Sequence, residues 1–366
     1  MDHTYCVIMA GGKGERFWPL SADQMPKPFL KLMSDKTMIQ LTLERLAGFV
    51  PHERVFVALG ASHLAVARDQ LPQLPAQNFL VEPEGRDTAP AIGFAAISLL
   101  EKDPGAIMVV VPADHYIPDV DRFRRTIAHG VNIARKGNYL VTIGIKPVRP
   151  ETGYGYINAR KVFSMSDEGV CFAVDRFVEK PDMKRAVEYL EEGNYYWNAG
   201  MFIWRAETLL AGIERHMPDL ARGLTEIRDA FASRKKSRIG EVYRSFKKES
   251  IDYGLMEKAD NVLMIPGEFR WDDVGTWNSL LRVMDRDKRG NYSSGETVCL
   301  DTTDSVVYGE DIPVGTIGVS NLVVVASKHG VLVCHGDRTQ EVREIARVIE
   351  AKGGKRKQQD KDRGRQ

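Results

Sequence analysis

Tyr5-Cys-Val-Ile-Met-Ala10 runs directly into Gly11-Gly12-Lys13-Gly14-Glu15-Arg16-Phe17-Trp18-Pro19-Leu20, and Pro26-Lys27-Pro28 follows shortly after. The apolar run has the length and composition of a buried strand. The glycines behind it free backbone N–H groups to lie along a polyphosphate with no Cβ in the way. Arg16 adds a forked cation, and Lys27, stiffened between two prolines, adds a point charge. Phe17 stands where a dinucleotide fingerprint needs its third glycine, and no Gly-Lys-Ser/Thr of a P-loop is present. By itself the loop reads either as a phosphate site of another kind or as a structural glycine turn.

Outward from this loop, strand-like runs at 54–59, 79–81, 107–111 and 139–145 alternate with helical periodicity at 38–46, 62–71, 89–100 and 123–135. Unbroken Val and Ile runs such as 108–111 suit strands covered on both faces. The alternation predicts a doubly wound α/β domain with right-handed crossovers. Strands at 155–159 and 170–178 and helices at 206–217, 221–233 and 239–246 extend it. A change of texture at 287–294 separates residues 1–288, a catalytic domain, from 289–351, a small Val-rich β domain closed by a helix at 340–351. Residues 352–366, rich in Lys, Arg, Gly and Gln, read as a disordered basic tail.

Composition narrows the function. The 366 residues carry 51 basic and 50 acidic side chains, which gives no electrostatic reason to expect nucleic acid or a membrane surface as partner. Cys6, Cys171, Cys299 and Cys334 lie far apart, without metal or redox spacing, and read as reduced, mostly buried thiols. With no basic leader and no apolar run near the roughly 20 residues of a bilayer span, the expectation is a cytoplasmic protein.

Four ordered segments sharpen the reading: Gly11–Leu20 with Pro26-Lys27-Pro28, Val111-Pro-Ala-Asp-His115, Phe177-Val-Glu-Lys-Pro181 and Trp271-Asp-Asp-Val-Gly-Thr-Trp277. Together they resemble the signature of the sugar-1-phosphate nucleotidyltransferases, over roughly residues 5–285. Glu82-Pro-Glu-Gly-Arg-Asp-Thr-Ala-Pro90 and Trp197-Asn-Ala-Gly-Met-Phe202 resemble the branch of that family that makes GDP-mannose from GTP and mannose 1-phosphate. The resemblance implies a Rossmann-like, glycosyltransferase-A-like mixed sheet, a left-handed β-helix or related β domain near the carboxyl terminus, and a homodimer. No hexapeptide repeat fixes the handedness of that domain. No isomerase domain of the bifunctional relatives is expected.

The resemblance also distributes roles. Gly11, Gly12, Gly14, Arg16 and Lys27 hold the nucleotide phosphates, with Arg16 and Lys27 clamping the departing pyrophosphate. Lys180 holds the sugar phosphate, and Gly155, Glu179 and Asn198 bind the sugar. Asp114 and Asp273 carry Mg2+, which binds through few carboxylates and shares the substrate phosphates. Glu82, at the end of strand 79–81, offers two acceptors to the N1–H and N2 amine of guanine, with Arg86 and Thr88 beside it. Asp272 is expected to be a supporting or solvated neighbour, His115 a packed or hydrogen-bonded histidine, and Asp252 an orienting group.

Overall fold

The computed structural model describes residues 2–12, 14–22, 25–233 and 235–363, with side chains except at 236 and 353–363. The chain gathers into two compact units, and the division does not follow the sequence boundary at 288. Residues 1–11, 41–113 and 117–271 form the first unit; residues 12–40, 114–116 and 272–366 form the second. The glycine-rich loop and Asp114 thus group with the carboxyl-terminal β segment.

The first unit is built on an eleven-stranded mixed sheet. Phe79–Glu82, Val55–Gly60, Thr4–Met9 and Ile107–Pro112 pair in parallel and in that spatial order. Tyr195–Arg205 then enters antiparallel between Ile107–Pro112 and Leu140–Ile145, and Val262–Pro266 continues parallel to the latter. Val109 and Met108 are fully buried, as the unbroken apolar run requires. The helix Thr88–Leu100 packs an Ala- and Ile-rich face into the same core, and the Asp87 carboxylate caps it by accepting from Thr88 N.

The α/β expectation holds, with local differences. The segment read as one strand over 170–178 is two strands, Gly169–Ala173 and Arg176–Val178, on different partners. The first pairs with Lys161–Ser166, a largely exposed strand whose polar alternation gave little signal.

In the second unit, Tyr292–Ser294, Val306–Gly309 and Leu322–Ser327 stack in parallel, and Thr297–Leu300 pairs in parallel with Val314–Ile317. Successive short parallel strands on two sheets are the pattern of a coiled β-helix. Gly330–His335 closes the larger sheet antiparallel. The segment 287–294, where the texture of the sequence changes, already contains the first of these strands. The final helix spans Val342–Arg363, beyond the end expected near 351; residues 364–366 of the expected tail lie outside the described residues.

The apolar core of this unit joins the signature loop to the carboxyl-terminal segment. Trp277 is fully buried, 5.2 Å from Phe17 between ring centres, and its Nε1 donates to Trp18 O at 3.1 Å. Phe17 and Trp277 are therefore packing residues, and truncating Trp277 to Ala would cost about 3–5 kcal/mol.

Candidate active site

The second unit holds a cleft of about 420 Å³ lined by Arg16, Lys27, Asp114 and Asp273. An isolated antiparallel bridge between Tyr116 and Asp272 sets Asp114 and Asp273 side by side. Lys27 is buried in the turn Lys27–Phe29, and its Nζ lies 2.9 Å from Asp114 Oδ2 and 2.5 Å from the main-chain oxygen of Asp273. Burial alone would raise the Asp114 carboxyl, but the Lys27 ammonium, and then His115, hold it below its usual range. Asp114 is thereby kept ionised at neutral pH. Gly14 has φ +64° and crosses so close to Lys27 that a Cβ there would lie 2.6 Å from Lys27 N. The glycine is required by that approach.

Asp272 is neither solvated nor aimed at the cleft. It is 6 % exposed, accepts from Arg282 Nε at 2.9 Å and Nη2 at 3.1 Å, and caps Val274 N at 2.8 Å. That last bond supports Val274 at φ +47°, a costly conformation for a β-branched residue. Asp272 shapes the turn that presents Asp273. His115, read from sequence as a packed or hydrogen-bonded histidine, lines the cleft.

The first unit carries a separate polar cluster. The strand Tyr195–Arg205 breaks register against Leu140–Ile145 between Asn198 and Phe202, a bulge that re-aims side chains. Asn198 N donates to Gly155 O at 2.8 Å, its Oδ1 accepts from Thr142 Oγ1 and Gly200 N, and its Nδ2 donates to Asp252 Oδ1 at 2.8 Å. Any Cβ on Gly155 would lie 2.5 Å from Glu179 Oε2, so these groups need a glycine between them. Lys180, at φ +49°, pairs with the Glu179 carboxylate. Burial works against the Lys180 ammonium, yet Glu179, Tyr253 and Asp252 raise it overall. Burial and the nearby Glu179 charge push the Asp252 carboxyl up to about 7. Gly155, Glu179, Lys180 and Asn198 thus meet, as the motifs implied, and Asp252 joins them through Asn198. Trp271 and Trp197 both pack edge-on or tilted against Tyr154, within about 5.3 Å of its ring centre.

Glu82 closes the strand Phe79–Glu82 and is 4 % exposed. Its Oε2 accepts from Tyr243 Oη at 2.6 Å, while Oε1 is the atom nearest a Cβ built on Gly11, at 3.6 Å. Burial raises this carboxyl, and the tyrosine bond partly offsets it. The Thr88 hydroxyl already accepts from Ile251 N at 2.9 Å, and Arg86 Nη2 pairs with Glu84 at 2.9 Å. The Arg86 Nε is buried and makes no hydrogen bond. Thr88 thus ties its helix to the segment at 251, a role the sequence did not reveal.

Among the described residues, no three His, Cys, Asp or Glu side chains gather as a metal cage. Mg2+ needs no such cage, because it binds through one or two carboxylates and completes its shell with water and phosphate oxygens. Asp114 and Asp273 in one cleft fit that ion.

Residues 5–290 match the family described as Nucleotidyl transferase, and residues 295–348 match a MannoseP isomerase/GMP-like beta-helix domain. The chain is 38% identical over 355 residues to the Escherichia coli protein named mannose-1-phosphate guanylyltransferase, covering 95% of this chain and 76% of that one. It is 39% identical over 360 residues to the xanthan biosynthesis protein XanB of Xanthomonas campestris pv. campestris (strain B100), covering 96% of this chain and 74% of that one. A crystal structure from Thermus thermophilus, named mannose-1-phosphate geranyltransferase, superposes with a TM-score of 0.86 at 40% identity, covering 95% of this chain and 99% of that chain. With residues 5–290 matched to that family and residues 295–348 to the beta-helix domain, the chain belongs to the nucleotidyl transferase family.

Proposed function

We propose that the protein transfers the guanylyl group of GTP to α-D-mannose 1-phosphate, giving GDP-mannose and pyrophosphate. The observation that carries this reading is the convergence of Arg16, Lys27, Asp114 and Asp273 in one cleft. The attacking group is already a phosphate oxygen anion, so no side-chain base is required. The sugar phosphate oxygen forms a bond to the α-phosphorus, the α–β bridging bond breaks, and its electron pair leaves with pyrophosphate. The protein's work is to hold polyanions in line and neutralise the developing charge.

In this reading Arg16 and Lys27 bind the phosphates that leave, and Lys180 binds the sugar phosphate. Glu179 and Asn198 accept and donate to the sugar hydroxyls, with the Gly155 backbone beside them. Glu82 receives the guanine donors, and Arg86 offers its buried Nε nearby in sequence. Asp114 and Asp273 would hold Mg2+, which supplies charge neutralisation at the phosphates when bound.

The protein is proposed to act in the cytoplasm as a homodimer. No helix among the described residues is long and apolar enough to cross a membrane. Support for self-association comes from exposed apolar side chains on the β segment, including Val298, Leu300, Ile317, Val331 and Val333.

A donor and acceptor panel tests the specificity. GTP, ATP, UTP, dTTP and geranyl diphosphate are each offered with mannose 1-phosphate and glucose 1-phosphate, and products are resolved by mass spectrometry. GDP-mannose as the dominant product supports the reading. Preference for another base or hexose, or a geranyl product, moves the chain to a different specificity.

A further inference from the structure

The sequence motifs leave the carboxyl-terminal helix without a task, yet it reaches the phosphate cleft. Val342 and Ala346 are buried, and Val342 belongs to the apolar cluster that contains Phe17 and Trp277. With that face anchored, residues 343 and 347, one helical turn apart, share a neighbouring face. Arg343 and Arg347 both line the cleft that contains Arg16, Lys27, Asp114 and Asp273. Arg347 donates to Glu15 Oε2 from Nε at 3.0 Å, and its Nη2 lies 2.8 Å from the same oxygen.

Charge balance gives these arginines a purpose. Among the described lining residues, Arg16 and Lys27 face three carboxylates, Glu15, Asp114 and Asp273. Those five side chains alone would present a net negative wall to a polyphosphate. Adding Arg343 and Arg347 makes four cations against three carboxylates. A guanidinium grips phosphate oxygens bidentately, and it can exchange a carboxylate for a phosphate while its own charge stays paired.

We infer that Arg343 and Arg347 are binding residues for the nucleotide's leaving phosphates, so that the helix after the β-helix segment completes the pyrophosphate site. Glu15 holds Arg347 until a phosphate replaces it. The inference rests on the reading of this cleft as the site of nucleotidyl transfer.

The test is titration of inorganic pyrophosphate with Mg2+ into the full chain by calorimetry, alongside steady-state kinetics. The double variant R343Q/R347Q should bind pyrophosphate at least tenfold more weakly and raise KM for GTP similarly, with KM for mannose 1-phosphate unchanged. Glu15→Gln should tighten pyrophosphate binding severalfold, since Arg347 loses its competing carboxylate. Wild-type affinity in the double variant, or no pyrophosphate binding by the wild type, would overturn the inference. If the double variant melts early, R343K/R347K decides: restored affinity supports the inference, and affinity as low as in R343Q/R347Q overturns it. A wild-type chain that makes no GDP-mannose but binds pyrophosphate through these arginines would sink the functional reading and leave this inference standing.

Discussion

Lys27 Nζ lies 2.9 Å from Asp114 Oδ2, a buried lysine beside one of three cleft carboxylates. The ammonium keeps Asp114 ionised and is itself held in the cleft by the Asp273 main-chain oxygen. The contact depends on Gly14, whose backbone leaves no room for a side chain next to Lys27. Gly14→Ala is expected to cost roughly 1–3 kcal/mol, from the positive φ and the clash together. It should also lower kcat/KM for GTP at least tenfold. Thermal melts with GTP kinetics check this, and unchanged values for both would refute the packing argument.

Arg16 and Lys180 belong to different units and different motifs. Arg16→Ala is expected to raise KM for GTP, and for pyrophosphate in the reverse direction, while sparing mannose 1-phosphate. Lys180→Ala should do the opposite. Steady-state analysis with each substrate varied separately checks the division. Equal damage to the same substrate by both variants would show the roles to be misassigned.

The glycine loop and the cleft aspartates stood out in the sequence because their surroundings are local: a strand, glycines and a charge within a few residues. The partners of those motifs were not. Asp272 and Asp273 are adjacent and chemically identical, and the bonds from Arg282 and Val274 N distinguish the buried one from the one in the cleft. Asp252 and Asn198 are 54 residues apart, and their hydrogen bond depends on a bulge that no periodicity announces. Arg343 and Arg347 are ordinary charges on a polar helix until burial of Val342 and Ala346 fixes which way the helix faces.

Asp252 makes stability depend on pH. Its carboxyl is pushed up to about 7 from 3.8, so the folded state prefers the protonated form. The associated stability is fully present below the unfolded value, near pH 4, and is lost as pH rises through about 7. Asp252→Asn has no such proton to lose. Relative to the wild type, the variant should therefore gain stability between about pH 4 and pH 7 in urea denaturation, with the difference level above that. A stability difference that does not change with pH would place the Asp252 proton elsewhere.

Glu82 is expected to recognise the guanine N2 amine through an acceptor oxygen. Glu82→Gln replaces one acceptor with a donor and leaves a buried group mismatched. Efficiency with GTP should then fall more than efficiency with ITP, which lacks that amine, and the GTP-to-ITP preference should drop about tenfold. An unchanged ratio would move base recognition to the backbone of 86–88. Tyr243→Phe removes the bond to Oε2 and is expected to shift the same ratio less.

Mg2+-supported guanylyl transfer from the cleft of Asp114 and Asp273 stands or falls on product stoichiometry. Purified protein is supplied with GTP, mannose 1-phosphate and Mg2+, and GDP-mannose and pyrophosphate are quantified together. Equal amounts of the two products are expected, with no product in EDTA and turnover reduced by orders of magnitude in folded Asp114→Ala and Asp273→Ala variants. Absence of GDP-mannose from the wild type, or near-normal turnover in both variants at saturating Mg2+, would contradict it.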